Sequence, residues 1–397
     1  MSSALQIAGT PLMDQLIART VRKQIPLSVH FDLTYRCNER CVHCYLDHED
    51  YGELTTSECI EALEQLSEAG AFFLTFSGGE IFLRKDLEEI LAAARRLRFD
   101  ISLKTNALLI NTERAAMIAR YGVRRVQISI YSSEPTIHDA ITKVPNSLKR
   151  SLASIPLLQK HGIQVKLACP LMKQNLSAYR GVMALAEELG VPYVLDLTIT
   201  PMMDGSNAPL QHRISPDALL PILQDSALQS CGTKSMTENW DSAPEFSSIV
   251  SSGIESSAYD DLPCSAGHNS CYVSPYGDVY ACVQLPMPAG NIRTHSFVEI
   301  WKNAPALERI RNVRESELPV CSSCKIRNYC ERCPGLAWME GGDLRGPYER
   351  ACSLAEQKAR VAGVFNPVSA WHENISSVAD LSPASEKLSQ PARPGLN

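Results

Sequence analysis

"RCNERCVHCYLD", residues Arg36 to Asp47, carries three cysteines within eight residues at the spacing C-x3-C-x2-C. They are Cys37, Cys41 and Cys44. Three thiolates from one tight loop can hold three corners of a four-iron cubane. The fourth iron is then free to bind a group that is not protein, such as the amine and carboxylate of an amino acid. The spacing therefore predicts an iron–sulfur cluster with one open coordination position.

Zinc is the alternative metal for the same cysteines. A three-cysteine zinc site could be completed by His43 or His48, which lie in or beside the motif. The position of the motif favours catalysis, because residues 28–35 (SVHFDLTY) have the pattern of a β-strand that ends just before it. In parallel α/β barrels the chemistry lies on loops at the carboxyl ends of the strands.

Composition restricts the class of protein. The chain has 397 residues, 45% of them hydrophobic, and a formal net charge of −6, so it can bury a large core and has no general attraction to nucleic acid or anionic membranes. It shows neither a signal peptide nor an apolar run of the ~18 residues that a membrane span needs. We therefore expect a cytoplasmic protein with no nucleic-acid or membrane partner. Its fourteen cysteines then stay reduced and serve metal binding or catalysis.

β-rich runs alternate with helical patterns along the first half of the chain. Strands are predicted at residues 28–35, 71–76, 100–105, 124–131, 163–170 and 191–200. Helices are predicted at residues 12–24, 56–69, 84–97, 112–120, 147–160 and 177–189, with Thr55 and Glu58 as a capping box for the second. Six such units indicate a parallel sheet covered by helices. The predicted fold class is α/β, a partial (β/α)6 TIM barrel followed by a small cysteine-rich iron–sulfur domain.

Changes in composition divide the chain into five parts. Residues 241–262, DSAPEFSSIVSSGIESSAYDDL, are Ser-rich and acidic, which is typical of a linker. The end of the chain has little periodicity and is expected to be largely disordered. The predicted parts are an N-terminal helix (1–27), the barrel (28–235), a linker (236–262), the cysteine-rich domain (263–355) and a tail (356–397).

Polar or glycine residues occur where the predicted strands end. The second strand closes with TFSGGE, which contains Ser77, Gly78, Gly79 and Glu80. Two glycines there let the backbone approach a ligand closely, and the carboxylate can accept a hydrogen bond from an amine. Weaker candidates at other strand ends, each of which could also be an ordinary polar loop residue, are Asn106, Asn175 and Thr198.

The C-terminal part contains eight further cysteines in two groups. They are Cys264, Cys271, Cys282, Cys321, Cys324, Cys330, Cys333 and Cys352. Eight thiolates are enough for two fully ligated four-iron clusters. The alternative is a zinc ribbon, since closely spaced C-x2-C pairs are common zinc ligands. We favour iron–sulfur because all eight cysteines need a role and the barrel motif already indicates electron transfer.

The barrel motifs resemble the radical SAM superfamily, whose signature is C-x3-C-x-aromatic-C followed by a GGE element. The resemblance implies that Cys37, Cys41 and Cys44 hold a [4Fe-4S] cluster that reductively cleaves S-adenosylmethionine (SAM) to a 5′-deoxyadenosyl radical. His43 would pack near the adenine, GGE would bind the methionyl amino group, and Ser129 would meet the ribose or carboxylate. The implied SAM-binding residues are His43, Ser77, Gly78, Gly79, Glu80, Asn106, Ser129 and Thr198.

The C-terminal cysteines resemble the SPASM extension of radical SAM enzymes. SPYGDVYAC (274–282) and the run CSSCKIRNYCERC (321–333) carry the likeness, with one departure, a two-residue spacing before Cys333 where three is usual. The resemblance implies three [4Fe-4S] clusters in all. The first auxiliary cluster would take Cys264, Cys271, Cys282 and Cys333. The second would take Cys321, Cys324, Cys330 and Cys352.

Enzymes with this architecture mostly modify peptides or proteins, so the resemblance implies a maturase. We expect it to abstract hydrogen from a ribosomally made precursor peptide and to install an oxidative modification such as a crosslink, rearrangement or excision. A tetrapyrrole-modifying (haem d1-type) enzyme and a non-catalytic metal-binding scaffold are the alternatives. An electron donor, flavodoxin or ferredoxin, is implied. The short segments outside the two domains also predict a separate leader-recognition protein.

Overall fold

A computed structural model of the chain describes residues 12–226, 228 and 261–364. Nine strands form one sheet, in the spatial order β6-β5-β4-β3-β2-β1-β7-β8-β9. In chain order, β1 to β9 are Ser28–Thr34, Phe73–Gly78, Asp100–Thr105, Val123–Ser129, Gln164–Pro170, Tyr193–Asp196, Ser270–Val273, Asp278–Tyr280 and Gly290–Asn291.

Helices α1 to α12 are Leu12–Lys23, Thr56–Glu68, Leu87–Arg96, Thr112–Arg120, Pro135–Thr142, Ser147–Lys160, Tyr179–Leu189, Pro216–Leu223, Phe297–Asn303, Pro305–Arg311, Pro334–Gly341 and Glu349–Val361. Short 3₁₀ turns occur at Ile81–Leu83, Leu176–Ala178, Ala208–His212, Glu315–Glu317, Cys321–Ser323 and Arg327–Tyr329. The capping box predicted for α2 is present, with Thr55 and Glu58 each bonding the other's backbone N–H.

Strands β1 to β6 are parallel and follow one another in space, as a partial barrel requires. The predicted α/β fold class is confirmed. Six of the twelve described helices, α5 and α8 to α12, were not predicted from the sequence, and α5 is the one that touches the cysteine loop. It has eight residues, begins with a proline at its first turn and ends at Lys143 in the left-handed conformation, so its local pattern is too short to show periodicity.

Alternation along the strands separates an apolar face from a polar one. In β1, Val29, Phe31 and Leu33 join the large hydrophobic core that includes the helices. His30 and Asp32 therefore lie on the opposite, concave face of the sheet. The inside of the barrel is consequently lined by polar side chains, whereas its outside is sealed by helices.

The cysteine-rich part continues the barrel sheet. Strand β7 pairs in parallel with β1, and β8 returns antiparallel to β7. The turn between β7 and β8 contains Gly277, with φ of +87°, where a Cβ would meet Ile292, Asn291 and Leu54. Cys271 therefore lies on the strand next to the one that precedes Cys37, and Cys282 follows β8.

The predicted linker and tail fall mostly outside the described residues. Residues 236–260 and 365–397 lie outside them, and only 261–262 of the linker are described. The expected tail begins inside α12, which stays helical to Val361 because Ala355 and Ala359 pack on Ile326 beside the C-terminal cysteines. Every helix in the described ranges is too short or too polar to cross a membrane.

Candidate functional site

The three-cysteine loop leaves the carboxyl end of β1 and is held by the end of α5. Arg40 N donates to Thr142 O at 3.0 Å, and Val42 N donates to Ile141 O at 3.0 Å. The last carbonyls of a helix have no partner within the helix, so a passing loop can take them. Helix α5, which was not predicted from the sequence, therefore fixes the position of the C-x3-C-x2-C loop.

Polar groups surround the thiols of this loop. Glu39 N donates to Cys37 Sγ at 3.4 Å, while Cys41 Sγ lies 3.3 Å from a Glu39 carboxylate oxygen and 3.6 Å from the hydroxyl of Tyr131. Asn106 Nδ2 lies 3.8 Å from Cys37 Sγ. N–H groups beside the sulfurs are the kind of donor that tunes an iron–sulfur cluster.

The donor set fits a positively charged metal centre. Burial raises the pKa of Cys37 to about 12 and that of Cys44 to about 11, and it raises the pKa of Cys41 well above its usual value. Buried thiols of this kind become thiolates when a metal supplies the opposing charge. Among the described residues, no group of three or more His, Cys, Asp or Glu is arranged to hold a single metal ion. A cubane takes one thiolate per iron and spaces its ligands more widely than one zinc ion does.

The two glycines of the GGE element are required by the end of β1. A Cβ at Gly78, whose φ is +124°, would lie 2.1 Å from Thr34 O, and one at Gly79 would lie 2.3 Å from Arg36 O. Gly79 N donates to Thr34 O at 2.7 Å, and Glu80 N donates to Arg36 O at 2.9 Å. The GGE loop is therefore seated directly on the cysteine loop.

Glu80 is completely buried, and its carboxylate joins the ends of β2 and β3. It accepts hydrogen bonds from Thr105 Oγ1 at 2.7 and 2.9 Å and from Asn106 N and Phe82 N at 3.0 Å each. Burial raises its pKa, and these donors oppose the shift. The carboxylate thus organises the loops around the cysteines, a role that the resemblance did not indicate.

The other candidate SAM-binding residues divide into two groups. Asn106 lies at the cysteine loop, where its Nδ2 donates to Asn38 Oδ1 at 2.7 Å, and Ser77 is buried at the end of β2. Ser129 ends β4 and interacts with the Tyr131 hydroxyl. Thr198 instead caps Asp196 after β6, through its backbone N at 2.8 Å from Asp196 Oδ1.

His43 is held as a neutral ring. Its ring lies edge-on to Tyr131 with centroids 5.0 Å apart, and its Nδ1 is buried without a hydrogen-bond partner among the described residues. Burial lowers its pKa to about 4. A buried polar atom without a partner is unusual in a folded protein and is consistent with a ligand beside this ring.

Sequence reasoning missed two residues that contact the thiols, Glu39 and Tyr131. Glu39 lies inside the motif and is 3% exposed, which is rare for a glutamate. Its position between the cysteines was a signal that could have been used. Tyr131 follows β4 and is separated from Cys41 by 90 positions, so only the strand order brings them together.

The second C-terminal group is brought together completely. Cys321, Cys324, Cys330 and Cys352 all interact electrostatically with one another, and burial raises the pKa of Cys330 to about 12 and that of Cys352 to about 11. Cys324 and Cys330 pack against the apolar side of α12. The structure thus brings these four cysteines together, and their role as the ligands of one cluster stays a prediction.

Only three of the four cysteines of the first group come together. The thiols of Cys264, Cys282 and Cys333 interact with one another. Cys271 lies on β7 in the hydrophobic core, and the charged neighbour that acts on it is Arg311. The structure therefore does not bring Cys271 to the other three, because its strand turns it toward the helices.

Arg332 lies between the two groups. Its Nε donates to Gly346 O at 2.9 Å, and its NH2 donates to Leu344 O and Gly346 O. These bonds fix the guanidinium, while Nη1 is buried and has no hydrogen-bond partner in the part of the chain that the structure describes. The charge acts on cysteines of both groups, including Cys264 and Cys321.

The barrel site and the first auxiliary group are neighbours. Tyr45, next to Cys44, is partly buried and interacts electrostatically with Cys44 and with Cys282. Lys104, at the carboxyl end of β3, also acts on Cys282. Tyr45 thus lies within electrostatic reach of thiols of both sites.

Comparisons with known proteins agree with this architecture. The model of the Radical SAM superfamily matches residues 31–186, and the model of SPASM, an iron-sulfur cluster-binding domain, matches residues 264–325. The AdoMet-dependent heme synthase of Methanosarcina barkeri is 30% identical over 336 residues, covering 80% of this chain and 94% of that protein. The mycofactocin maturase MftC of Mycobacterium ulcerans is 28% identical, covering 81% and 86%.

The fold is also similar to that of solved structures. Streptococcus suis SuiB bound to its precursor peptide SuiA superposes with a TM-score of 0.64 at 16% identity, covering 89% of this chain and 83% of SuiB. A radical SAM domain binds a [4Fe-4S] cluster and SAM, and a SPASM domain binds additional iron–sulfur clusters. The match identifies an enzyme and not a scaffold. This chain belongs to the radical SAM superfamily, among the members that carry a SPASM iron–sulfur domain.

Proposed function

We propose that this protein is a peptide maturase that uses a SAM-derived radical to install an oxidative modification in a ribosomally made precursor. Bound at Cys37, Cys41 and Cys44, the cluster and SAM supply the 5′-deoxyadenosyl radical that abstracts hydrogen. The modification is a crosslink, rearrangement or excision. The similarity to MftC and to the SuiB fold supports this class of substrate.

The oxidative outcome is supported by the closeness of the two cysteine sites. Forming a bond from a substrate radical releases an electron, which needs an acceptor near the substrate. Cys282 is within electrostatic reach of Tyr45, which follows Cys44, and of Lys104 inside the barrel. This electrostatic proximity supports the first auxiliary cluster as the acceptor.

The proposal of a peptide substrate rests mainly on one observation, that the barrel interior contains charged side chains of both signs. Asp32, which is buried, and Asp196, which is exposed at the end of β6, contribute negative charge. Lys104 and Lys166, which the strand register places on one face, contribute positive charge, and Lys104 acts on Asp196. Burial raises the pKa of Asp196, and Lys104 opposes that shift. A peptide, with amide groups and charges of both signs, matches such a lining. A tetrapyrrole with several carboxylates would call for a surplus of cations.

A tetrapyrrole-modifying function is the second candidate. It is favoured by one observation, the 30% identity to the AdoMet-dependent heme synthase of M. barkeri, which covers 94% of that protein. The two candidates share the radical site and the auxiliary cysteines, so these residues do not distinguish them. The side chains of the barrel that face the substrate do distinguish the two candidates.

We also propose two partner proteins and a cellular location for this enzyme. A separate leader-recognition protein presents the precursor, and a flavodoxin or ferredoxin supplies the electron. We place the enzyme in the cytoplasm, where reduced thiols are available for cluster assembly. Turnover of a genomically adjacent precursor with and without a co-encoded small binding protein tests the first partner. Full-rate modification and tight peptide binding by the isolated enzyme would exclude it.

The substrate class is tested by offering both substrates to the same preparation. The anaerobically reconstituted protein, with SAM and a reductant, is incubated with the adjacent precursor peptide or with a carboxylated iron tetrapyrrole. We expect 5′-deoxyadenosine formation to rise with the peptide and the peptide mass to change. A response to the tetrapyrrole alone would replace the proposal by the second candidate.

A further inference from the structure

The pairing of β7 with β1 shows which face of the sheet each residue of β7 occupies, including Cys271. In a parallel pair, aligned residues share a face, and successive residues alternate between faces. Val29 of β1 is aligned with Cys271, and His30 is aligned with Tyr272. The face to which Cys271 belongs is therefore given by its neighbours on β1.

Cys271 faces the helix-covered core. It belongs to the same cluster of buried residues as Val29 and Val273 and is 4% exposed. Tyr272 points the opposite way, into the barrel, where its hydroxyl donates to Asp32 Oδ2 at 3.0 Å. A one-residue change of register would be needed to exchange the two side chains, and it would bury the Tyr272 hydroxyl among apolar groups.

The remaining three cysteines meet a different polar group. Gln284 N donates to Cys282 Sγ at 3.5 Å, and Cys333 Sγ lies 3.5 Å from Gln284 Oε1. The backbone of Gln284 is packed so closely that a Cβ at Gly335 would lie 2.5 Å from Gln284 O. Gln284 is thus fixed against two of the three thiols.

We propose that the first auxiliary cluster is held by three thiolates, from Cys264, Cys282 and Cys333, with Gln284 as the polar side chain of the site and Cys271 as a packing residue. Three thiolates leave one iron of a cubane open to an exogenous nitrogen, oxygen or sulfur donor. This site is distinct from the SAM-binding one.

Iron content distinguishes a ligand from a packing residue. The full-length protein with three cubanes should hold about twelve irons per chain, four for each. We expect Cys271→Ala to keep about twelve and Cys264→Ala to fall to about eight. Since Cys271→Ala leaves a small cavity, Cys271→Val, which suits a buried strand, is measured beside it. Cys59→Ala, which changes another buried cysteine of the same core, is the matched control.

The open iron is tested separately by its spectrum. In the full chain with Cys37, Cys41 and Cys44 all replaced by alanine, only the auxiliary clusters remain. We expect cyanide, used as a small donor, to change the electron paramagnetic resonance spectrum of one reduced auxiliary cluster. Loss of about four irons in both Cys271 variants, with Cys59→Ala unaffected, would overturn the ligand assignment. A spectrum that cyanide leaves unchanged would overturn the open position.

Discussion

The hydroxyl oxygens of Tyr35 and Tyr272 lie 2.6 Å apart and join the cysteine loop to the first strand of the auxiliary part. Tyr272 donates its single hydroxyl hydrogen to Asp32, so Tyr35 is the donor in this pair. His30 Nε2 lies 2.9 Å from the other oxygen of Asp32. The fully buried carboxylate of Asp32 is thereby satisfied from two strands, and the two cysteine-bearing parts of the chain are held in register.

Removal of the Tyr272 hydroxyl should weaken this connection. In Tyr272→Phe, buried Asp32 loses a donor, which costs about 2 kcal/mol of stability. We expect a melting temperature a few degrees lower for the anaerobically reconstituted protein, measured by circular dichroism. Tyr280→Phe is the control, because the Tyr280 hydroxyl bonds to no described residue. Equal melting temperatures for the two variants would contradict the structural role of the network.

Substitution of any cysteine of the first motif should separate radical initiation from the auxiliary clusters. In Cys41→Ala we expect no 5′-deoxyadenosine from SAM and a reductant, while iron falls from about twelve to about eight per chain. The product is measured by chromatography, and iron by a colorimetric assay. Retained SAM cleavage would contradict the open-iron argument. A wild-type protein with about four irons and tightly held zinc would contradict the auxiliary clusters.

Replacement of Glu80 should weaken SAM binding more than it lowers the iron content of the protein. Glu80→Ala removes the acceptor of Thr105 Oγ1 and of Asn106 N, so the loops around the SAM site lose their connection. We expect SAM binding, measured by equilibrium dialysis, to weaken at least tenfold, about 1.4 kcal/mol, with iron content retained. Thr105→Val leaves the carboxylate in place and should have a smaller effect. Loss of iron in Glu80→Ala would show that the residue acts mainly on cluster assembly.

Arg332 should raise the reduction potentials of the auxiliary clusters. A fixed positive charge stabilises the more negative, reduced form, so Arg332→Gln is expected to lower the midpoint potentials. A shift equivalent to a tenfold change in the reduction equilibrium, about 59 mV for one electron, is the expected size. Redox titration followed by electron paramagnetic resonance measures it. Arg332→Lys should recover most of the shift.

Arg345→Gln provides the matched control for Arg332. Arg345 lies in the turn whose carbonyls accept from Arg332, but its own side chain is exposed and donates to Glu317 O. Its removal changes the net charge equally, although solvent screens it from the cysteines. Equal shifts in the two glutamine variants would mean that overall charge, and not the position of Arg332, sets the potentials.

His138 should make the protein less stable below neutral pH. Burial lowers its pKa to about 4, although the adjacent Asp139 raises it, and its Nδ1 accepts a hydrogen bond from Tyr131 N. The unfolded chain therefore takes up a proton at higher pH than the folded protein does. The contribution of neutral His138 to stability is fully present above its unfolded-state pKa of about 6.5, and it is lost as the pH falls toward 4.

His138→Asn isolates this contribution, because the amide oxygen can accept the same hydrogen bond without titrating. We expect the stability lost by the wild type between pH 7.5 and 5.5 to exceed that of the variant by on the order of 1 kcal/mol. Thermal unfolding under anaerobic conditions at both pH values measures it. His161→Asn changes an exposed histidine and serves as control. Parallel pH profiles for wild type and His138→Asn would contradict the prediction.

The sequence by itself determined the chemistry and the class of fold. The three cysteines of the barrel motif lie in one short loop, so C-x3-C-x2-C is visible as spacing, and C-x2-C-x5-C likewise shows three of the four cysteines of the second auxiliary group. The GGE turn and the strand–helix alternation depend on residues within one turn or one element. The capping box at Thr55 also depends only on residues within one turn, and the structure contains it as predicted.

Tertiary structure decided which residues meet across elements. Tyr272 and Asp32 are 240 positions apart, and no local pattern indicates that β7 pairs with β1. The same pairing turns Cys271 toward the helices, although its spacing along the chain resembles that of a ligand. Helix α5 carries too few residues for a periodic signal, yet its last carbonyls hold the cysteine loop. Strand register and helix ends are set by packing over the whole sheet, and spacing within one segment contains no information about either.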